Sequence, residues 1–471
     1  MLTVGHILQA LTEQEFGIDQ VITDAVVDSR LAIPGSLFVA IRGERDDGHN
    51  FVQDAFDHGA VLALIDSDVA KELRTIDLRS SKPADVGGWE FPVCLRVEDT
   101  VKALQKAAAF WRSQLSVRVI GITGSVGKST SKELIAEVLE RRYRTLRNPG
   151  NLNNEIGLPL TLLRLTEAHE RAVLEMGFYV PGEIALLCEI ARPAVGVITN
   201  ISHVHLERAG SLEAIVKGKA ELVESLPPGP EGVALLNYDE ELVRGMADHT
   251  QATVFYYGLS HEADLWASEV EGLGLEGIRF VMHYGKDSIH LKVPLLGRHS
   301  VHTALRAAAV GLIEGLTWEE IASGLQDSQS QLRLVAVTGP KGAILLDDTY
   351  NAAPTSVIAA LNLLAELEGR KVAVLGDMLE LGEFEERGHR MVGARAAEVV
   401  DELITVGERA HWIADEAIRA GLAVSDVVQF DDQRQAVEYL KEQIGGDDVV
   451  LIKGSHGMHM EEVVTALEQV E

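Results

Sequence analysis

One short stretch of the chain combines residue types that suit phosphate chemistry. It reads Gly124-Ser125-Val126-Gly127-Lys128-Ser129-Thr130 and is called the P-loop below. Its glycines let backbone N–H groups approach an anion, its lysine can reach the β- and γ-phosphates of a nucleoside triphosphate, and its Ser129 hydroxyl can hold Mg²⁺. The general pattern also has a glycine where this chain has Ile122. A glycine turn that contains Lys-Ser by chance is therefore the alternative interpretation.

The segments on either side of the P-loop favour a triphosphate site. The β-branched run 117–122 predicts a buried strand. In segment 131–140, apolar residues at positions 134, 135, 138 and 139 share one face of a predicted helix. A strand, a glycine turn and a helix start together form a phosphate cradle, to which the positive end of the helix dipole contributes.

Length and composition limit the class of protein. A chain of 471 residues has room for about three domains. The net charge of −30 argues against a nucleic-acid or anionic-membrane surface, because phosphate contacts need clustered Lys and Arg. Two cysteines provide neither a disulfide framework nor zinc spacing. No signal-peptide pattern opens the chain, and no apolar run approaches the ~18 residues of a membrane span. We expect a cytoplasmic monomer without membrane insertion or a nucleic-acid partner.

Strand-like apolar runs alternate with helical patterns along the chain, which predicts the α/β fold class with parallel sheets. We expect three domains. These are a small N-terminal α/β domain at 1–113, a central nucleotide-binding parallel-sheet domain with the P-loop at 114–330, and a C-terminal Rossmann-like domain at 331–471. The polar, turn-prone connector 326–331 marks the second boundary.

Polar residues at the ends of predicted strands are candidates for a metal site. Glu175 follows the strand pattern at 171–174, and Asn200 follows the one at 195–199. Ligands of open parallel sheets lie beyond the carboxyl ends of the strands, so both residues are expected beside the P-loop. An acid there could hold Mg²⁺ directly or through water. A structural acid that caps the following turn is the alternative.

Other polar residues give weaker signals when considered alone. His203 and His205 are more typical of surface or core histidines than of a metal site. Lys217 and Lys219 lie in a helix pattern with Ser211 as N-cap, and their spacing alone predicts solvated side chains.

The N-terminal part contains two polar turns, Asp28-Ser29-Arg30 and the loop from Gly43 to His49. An arginine with a hydroxyl neighbour and a glycine loop after a strand could hold a diphosphate. On these features alone, a solvated loop with its ion pairs is the preferred interpretation.

Taken together, these motifs resemble those of the Mur ligase family, the ATP-dependent enzymes that build the peptide stem of bacterial cell-wall precursors. The resemblance runs the length of the chain. It rests on the Asp28 turn, the P-loop and the stretches Asn151-Leu152-Asn153-Asn154-Glu155-Ile156-Gly157, Glu175-Met176-Gly177, Thr199-Asn200-Ile201, His205-Leu206-Glu207, Asp348-Thr349-Tyr350-Asn351-Ala352, Gly376-Asp377-Met378 and Lys453-Gly454-Ser455.

The resemblance implies an ATP-dependent amide ligase. The γ-phosphate of ATP would pass to the terminal carboxylate of UDP-N-acetylmuramoyl-tripeptide, and the amine of D-alanyl-D-alanine would displace phosphate from the acyl phosphate. The Asn-Leu-Asn-Asn and Thr-Tyr-Asn-Ala stretches favour this acceptor. Two alternatives remain at this stage: a related Mur-type or folylpolyglutamate-type ligase with a different amine acceptor, and a non-enzymatic nucleotide-binding switch.

The resemblance also implies roles for individual residues. The catalytic residues would be Lys128, Glu175, His205 and Lys219, and two Mg²⁺ ions would be held by Ser129, Glu175, His205 and Lys219. Lys219 is the best-aligned candidate for a carbamylated lysine, which a neutral amine forms by taking up CO₂. Lys217 is close enough in register to remain an alternative.

The remaining implied contacts concern the nucleotide and the substrates. Besides the P-loop, ATP would be bound by Asp348 and Asn351. The substrates would be bound by Ser29, Arg30, Gly43 and His49 at the UDP moiety, by Asn154 and Thr199 at the centre, and by Lys453 and Ser455 at the dipeptide or the phosphates.

The chain also departs from the family pattern at several positions. Ser300 and Thr303 replace asparagines that usually contact adenine, and His456 replaces an arginine. Phe178 and Tyr179 stand where family members often have a small residue followed by asparagine. These changes concern the adenine contacts and the amino-acid pocket.

Overall fold

The computed structural model of the protein describes residues 1–43, 46–79, 89–204, 206–327 and 335–468. The strands of these residues form three sheets that follow one another along the chain. Helices connect mostly parallel strands, so the predicted α/β class with parallel sheets is confirmed. The exact domain boundaries stay a prediction, and most of the predicted connector at 326–331 lies outside the described residues.

The first sheet is formed by the N-terminal part of the chain. Its elements are α1 (Val4–Thr12), β1 (Ala25–Val26), β2 (Leu37–Val39), α2 (Val52–Asp57), β3 (Leu62–Ile65), β4 (Thr75–Asp77), β5 (Val93–Arg96) and α3 (Thr100–Ser113). Its strands run parallel in the order β1-β2-β3-β5-β4. On α3, the Trp111 indole N–H donates to the carbonyl of Leu165 at 2.9 Å, which connects this part to the central part.

The second sheet is the central one and contains the strand before the P-loop. Its elements are β6 (Arg118–Thr123), α4 (Lys128–Leu139), β7 (Thr145–Arg147), α5 (Gly157–Leu163), β8 (Arg171–Glu175), α6 (Glu183–Ala191), β9 (Val195–Ile198), α7 (Leu206–Ala209), α8 (Leu212–Glu224), β10 (Val233–Asn237), α9 (Glu241–Arg244), β11 (Thr253–Gly258), β12 (Leu265–Gly272), β13 (Ile278–Tyr284), β14 (Asp287–Val293), α10 (Val301–Ile313) and α11 (Trp318–Gln326). The strand order is β14-β13-β12-β11-β10-β9-β6-β8-β7, and the pairs β12–β13 and β13–β14 are antiparallel.

Strand β6 and helix α4 place the P-loop at the carboxyl edge of this sheet. Strand β6 is buried between β8 and β9 because its residues are almost all apolar or small. Helix α4 begins at Lys128, three residues earlier than the apolar pattern suggests, since Gly127 acts as N-cap in the left-handed conformation with φ of 80°. Lys128, Ser129 and Thr130 therefore belong to the first helical turn, where N–H groups have no intrahelical acceptor.

The third sheet is formed by the C-terminal part. Its elements are β15 (Val335–Thr338), β16 (Ile344–Asp347), α12 (Pro354–Glu366), β17 (Arg370–Gly376), α13 (Glu385–Ala397), β18 (Glu402–Val406), α14 (His411–Arg419), β19 (Val427–Phe430), α15 (Gln433–Gln443), β20 (Asp448–Lys453) and α16 (Glu461–Leu467). The order is β15-β16-β20-β17-β18-β19, with only the β15–β16 pair antiparallel among the described pairs. In the described ranges, no helix has both the length and the apolar character needed to cross a membrane.

Candidate active site

A cavity of about 1260 Å³ lies where the carboxyl edge of the central sheet faces the C-terminal part. Its walls include most of the P-loop, residues that follow β8 and β9, and the start of α10. The opposite wall comes from the segments that follow β16 and β20. Parallel strands thus direct their carboxyl ends at one space from two sheets, which is the usual position of a ligand in such folds.

The residues after β9 hold the P-loop in shape. The side-chain amide of Asn200 forms two hydrogen bonds with the backbone of Val126: its Oδ1 accepts from the N–H at 2.8 Å, and its Nδ2 donates to the carbonyl at 2.9 Å. The Thr199 hydroxyl donates to the Val126 carbonyl at 2.7 Å. A Cβ on Gly124, whose φ is +145°, would lie 1.8 Å from that hydroxyl. Thr199, predicted at the centre of the site, lines the cavity, but its hydroxyl supports the loop.

Ser129 and Glu175, predicted as metal ligands, lie together at the P-loop. The Ser129 hydroxyl donates to Oε2 of Glu175 at 2.5 Å, and Nδ2 of Asn153 donates to Oε1 at 2.8 Å. The backbone of Glu175 is fixed by Asn148, which bonds its N–H at 2.9 Å and its carbonyl at 3.1 Å. Hydroxyl and carboxylate oxygens are the ligands that Mg²⁺ prefers, so the pair fits this ion.

A complete protein cage for a metal is absent from the part of the chain that the structure describes, where no three His, Cys, Asp or Glu residues cluster suitably. His205, the other predicted ligand, lies outside the described residues. Mg²⁺ typically takes one or two protein ligands together with phosphate oxygens and water. The Ser129–Glu175 pair matches that smaller requirement.

Lys219 does not have the solvated side chain that its spacing alone predicts. It is 1% exposed, and its Nζ donates to the carbonyl of Gly124 at 2.9 Å. The ring of Phe178 lies over it, with 4.8 Å between Nζ and the ring centroid. Burial, followed by the charge of Lys128, holds the pKa of Lys219 well below its usual value. The expectation of a solvated Lys219, which rested on spacing alone, is wrong because helix α8 turns this residue toward the P-loop. Lys217, in contrast, is exposed.

The ring of Phe178, a residue at which the chain departs from the family pattern, packs against Gly218 on α8. A Cβ added to Gly218 would lie 2.0 Å from a ring carbon of Phe178, so only glycine leaves room for the ring. Tyr179, by contrast, is 41% exposed and stacks against the Arg208 guanidinium, with 4.5 Å from Cζ to the ring centroid. Both residues line the cavity, and the ring of Phe178 also covers Lys219.

Lys128 also lines this cavity. So do the four residues predicted in the C-terminal part: Asp348, Asn351, Lys453 and Ser455. Lys128 curls over the P-loop and donates to the carbonyls of Gly124 and Ser125 at 2.9 and 3.2 Å. Lys453 is 2% exposed and forms an ion pair with Asp348 at 2.6 Å.

Three further predicted site residues, Asn351, Ser455 and Asn154, form hydrogen bonds with nearby protein groups. The carbonyl of Asn351 accepts from Lys453 at 2.9 Å. The Ser455 hydroxyl accepts from the Leu379 N–H at 2.8 Å, and the Asn154 side chain accepts from the Gly157 N–H at 2.8 Å. All three residues nevertheless contribute to the cavity wall.

The four predicted UDP-binding residues, Ser29, Arg30, Gly43 and His49, do not line the described cavity. They lie in the turns that follow the parallel strands β1 and β2, at one edge of the N-terminal sheet. The exposed Arg30 pairs with Asp28 at 2.6 Å and lowers the pKa of that carboxyl group through this hydrogen bond. The buried His49 has Nδ1 2.6 Å from Asp47, and its Nε2 accepts from the N–H of Asp66 at 3.1 Å.

Known proteins match the chain over nearly its whole length. The Mur ligase middle domain matches residues 122–311, and the glutamate ligase domain of Mur ligases matches residues 332–456. The UDP-N-acetylmuramoyl-tripeptide–D-alanyl-D-alanine ligase of Bacillus subtilis is 36% identical, covering 95% of this chain and 93% of its own. The enzyme of the same name from Escherichia coli is 34% identical, covering 99% and 98%. The chain belongs to the Mur ligase family.

Solved structures support the same assignment. MurF from Acinetobacter baumannii superposes with a TM-score of 0.82 at 31% identity and covers 98% of each chain. MurF from Thermotoga maritima, solved in complex with ADP, has a TM-score of 0.80 at 26% identity and covers 95% of this chain and 97% of its own. The predicted family and the predicted class of enzyme, a ligase, are confirmed.

Several residues of this Mur ligase site had no role in the sequence-based prediction. Asn148, Asn153 and Arg306 are the main ones, because the first two fix Glu175 and the third lies beside Gly127. Burial is the main cause that lowers the pKa of His299, just before α10, and of His302, on α10, to about 4, so both are neutral near pH 7. Arg306 could have been noticed as a single charge within an alanine-rich run.

Proposed function

We propose that this Mur ligase uses ATP to join D-alanyl-D-alanine to UDP-N-acetylmuramoyl-tripeptide. The carrying observation is the P-loop with its Ser129–Glu175 pair, placed in one cavity with Lys453 and Asp348 of the C-terminal part. The name of the full-length relatives from two bacteria supports the choice of substrates.

The chemistry requires activation of an inert acid. A carboxylate oxygen of the tripeptide attacks the γ-phosphorus of ATP, the bond from that phosphorus to the β,γ-bridging oxygen breaks, and ADP leaves. The product is an acyl phosphate. Catalysis of phosphoryl transfer consists mainly of positioning and of neutralising charge. In this chain, Lys128 and the N–H groups at the start of α4 provide positive charge around the phosphates.

The second step forms the amide. The neutral amine of D-alanyl-D-alanine attacks the acyl carbon, the carbon–oxygen bond to phosphate breaks, and the nitrogen loses a proton as inorganic phosphate leaves. Water would destroy the acyl phosphate, so the site must close around its substrates. The position of the cavity between the central and C-terminal parts supports such a closure.

Mg²⁺ fits the oxygen donors of Ser129 and Glu175, and it would supply positive charge for the phosphate oxygens. The support that Asn148 and Asn153 give to Glu175 keeps the carboxylate in one orientation. We retain His205 as a ligand of a second Mg²⁺ as a proposal from the family resemblance alone.

Lys219 is proposed to carry a carbamate. Its lowered pKa favours the neutral amine that reacts with CO₂, and its Nζ lies beside the P-loop. A carbamate nitrogen keeps one N–H, so the bond to the Gly124 carbonyl can persist while the two new oxygens act as ligands. The exposed position of Lys217 supports Lys219 as the residue in question.

The UDP moiety is proposed to bind at the turns after β1 and β2. Both turns lie at one edge of a parallel sheet, and Arg30 offers an exposed guanidinium there. Because ATP and a nucleotide-linked sugar are intracellular metabolites, the proposal retains the cytoplasm as the location. The prediction of a monomer stays untested.

The test is a ligation assay with the full-length protein. UDP-muramoyl-tripeptides that differ in their third residue are combined with ATP, Mg²⁺ and a panel of amino acids and dipeptides, and the products are measured by mass spectrometry. We expect one amide and one phosphate per ATP with D-alanyl-D-alanine. A faster reaction with another amine would establish the alternative ligase, and ATP binding without amide formation would exclude both.

A further inference from the structure

Arg306 is a buried cation to which the proposed mechanism gives no role. It lies on α10, is 4% exposed and lines the cavity. Its nitrogens donate to three neutral hydroxyl groups: Nε to Ser131 at 2.8 Å, Nη1 to Tyr257 at 3.0 Å and Nη2 to Thr303 at 2.9 Å. Among the described residues, no carboxylate forms a direct ion pair with this guanidinium. Glu240, at the wall of the same cavity, interacts with it only through space, since the charge of Arg306 partly offsets the burial that raises the pKa of Glu240.

The guanidinium lies directly beside the P-loop. A Cβ built on Gly127 would have Nη2 of Arg306 as its nearest neighbour, at 3.5 Å. The Ser131 hydroxyl that accepts from Arg306 donates to the Gly127 carbonyl at 2.7 Å. The Tyr257 hydroxyl lies 3.2 Å from the carbonyl of Thr199, the residue that supports the P-loop from β9. Arg306 therefore reaches both sides of the loop through neutral groups.

A buried charge without a counterion is costly, and proteins usually pair it. A guanidinium has five N–H donors, of which three are used here, so that Nη1 and Nη2 each keep one. Paired donors of this kind match phosphate oxygens. The net charge of −30 makes a local cation more important for binding a polyanion.

We propose that Arg306 binds the phosphate chain of the nucleotide and is a second cation of the site beside Lys128. The inference rests on the proposed ATP-dependent function. The phosphate oxygens then accept from the remaining N–H groups of Nη1 and Nη2, which no carboxylate of the described residues contacts directly. Thr303, which replaces an asparagine of the family pattern, accepts from Arg306 and so holds the side chain at this wall.

The competing explanation is that Arg306 only connects α4, α10 and β11. Three full-length variants separate the two. R306Q removes the charge, R306K keeps the charge without the planar fork, and Y257F keeps Arg306 but removes one of its acceptors. Dissociation constants for ATP, ADP and adenosine are measured by calorimetry, and thermal unfolding reports on the fold.

We expect R306Q to weaken ATP and ADP binding by about 10- to 100-fold, the usual effect of losing a hydrogen bond to a charged group. Adenosine binding should change less than about threefold. R306K should be intermediate, and Y257F should remain within about threefold of the wild type for ATP because the charge is retained. Unchanged ATP binding in R306Q, or an equal loss of adenosine binding, would overturn the inference.

A loss of ATP affinity in Y257F as large as that in R306Q would also overturn it, because the connection rather than the charge would then matter. If R306Q does not fold, R306K provides the test. Its ratio of adenosine to ATP dissociation constants should fall severalfold, and an unchanged ratio would reject phosphate binding. If the wild-type protein binds no ATP, the proposed ATP-dependent function is itself wrong.

Discussion

The P-loop and the N-terminal turn around Arg30 are both proposed to hold phosphates, but they are built differently. The P-loop is formed by backbone, and its shape is fixed by Asn200 and Thr199, which directly follow the neighbouring strand β9. The Arg30 turn relies on one exposed side chain, which is paired with Asp28 within the same turn. The P-loop is thus formed before any ligand binds, whereas Arg30 has to exchange its protein partner for the ligand.

This difference predicts different kinds of loss on mutation. A substitution that distorts the P-loop or removes its charge should abolish ligation, because the position and the neutralisation of the phosphates both depend on this loop. Substitution of an exposed side chain such as Arg30 should weaken the binding of one substrate and leave the rest of the reaction unchanged. The following variants test this contrast, beginning with the largest expected effect.

Lys128→Ala should lower kcat of ligation by about 10³-fold or more, because the cavity loses a cation at the phosphates. The value of kcat is obtained from the steady-state release of phosphate at saturating substrate concentrations. Lys102→Ala is the matched control, since that lysine is exposed on α3 and, among the described residues, forms a single ion pair, with Asp99 at 3.9 Å. If Lys128→Ala keeps more than a tenth of wild-type activity, the P-loop is not the centre of the chemistry.

Gly124→Ala should raise KM for ATP by about 10²-fold, because its Cβ would meet the Thr199 hydroxyl and its φ of +145° disfavours any side chain. Gly245→Ala is the control, since nothing lies within 4 Å of a Cβ there. KM values and melting temperatures of both variants are compared. Normal ATP kinetics in Gly124→Ala would mean that the loop adapts rather than being preformed.

Lys219→Ala should lower activity by about 10²-fold, and millimolar acetate should restore part of it by replacing the carbamate oxygens. Lys217→Ala, two positions away and exposed, should retain full activity. Rates are measured with and without acetate at fixed ionic strength. A lysine that only supports Gly124 would give an equally inactive variant that acetate does not restore.

Arg30→Ala should have the smallest effect, a roughly tenfold rise in KM for the UDP substrate with KM for ATP unchanged. Arg79→Ala is a close control, because Arg79 pairs with Asp77 two residues away in the same manner. It should change neither KM. A rise in KM for ATP in Arg30→Ala would show that the two phosphate sites are not separate.

The contrast also explains how much of the molecule was predictable. The P-loop and its Ser129–Glu175 pair could be predicted because a local motif and the geometry of parallel strands determine them. The start of α4 was placed too late, since the first turn of a helix at an anion site is polar and lacks the apolar pattern. The domain boundaries and the roles of the site residues stay predictions.

Tertiary packing decided what the sequence pattern could not. Lys219 has the spacing of a surface lysine, and its burial depends on how α8 meets the P-loop and on the Phe178–Gly218 fit. Arg306 belongs to no motif, and its position beside Gly127 follows from the packing of α10 against α4. Only the assembled structure shows that these two basic residues lie beside one loop.

The transfer of oxygen from substrate to phosphate tests the central claim most directly. The tripeptide substrate is prepared with ¹⁸O in both oxygens of its terminal carboxylate, and ligation is run with unlabelled ATP and D-alanyl-D-alanine. If the carboxylate is activated as an acyl phosphate, one ¹⁸O appears in each phosphate released while the amide keeps the other. Amide formation with unlabelled phosphate would contradict the mechanism.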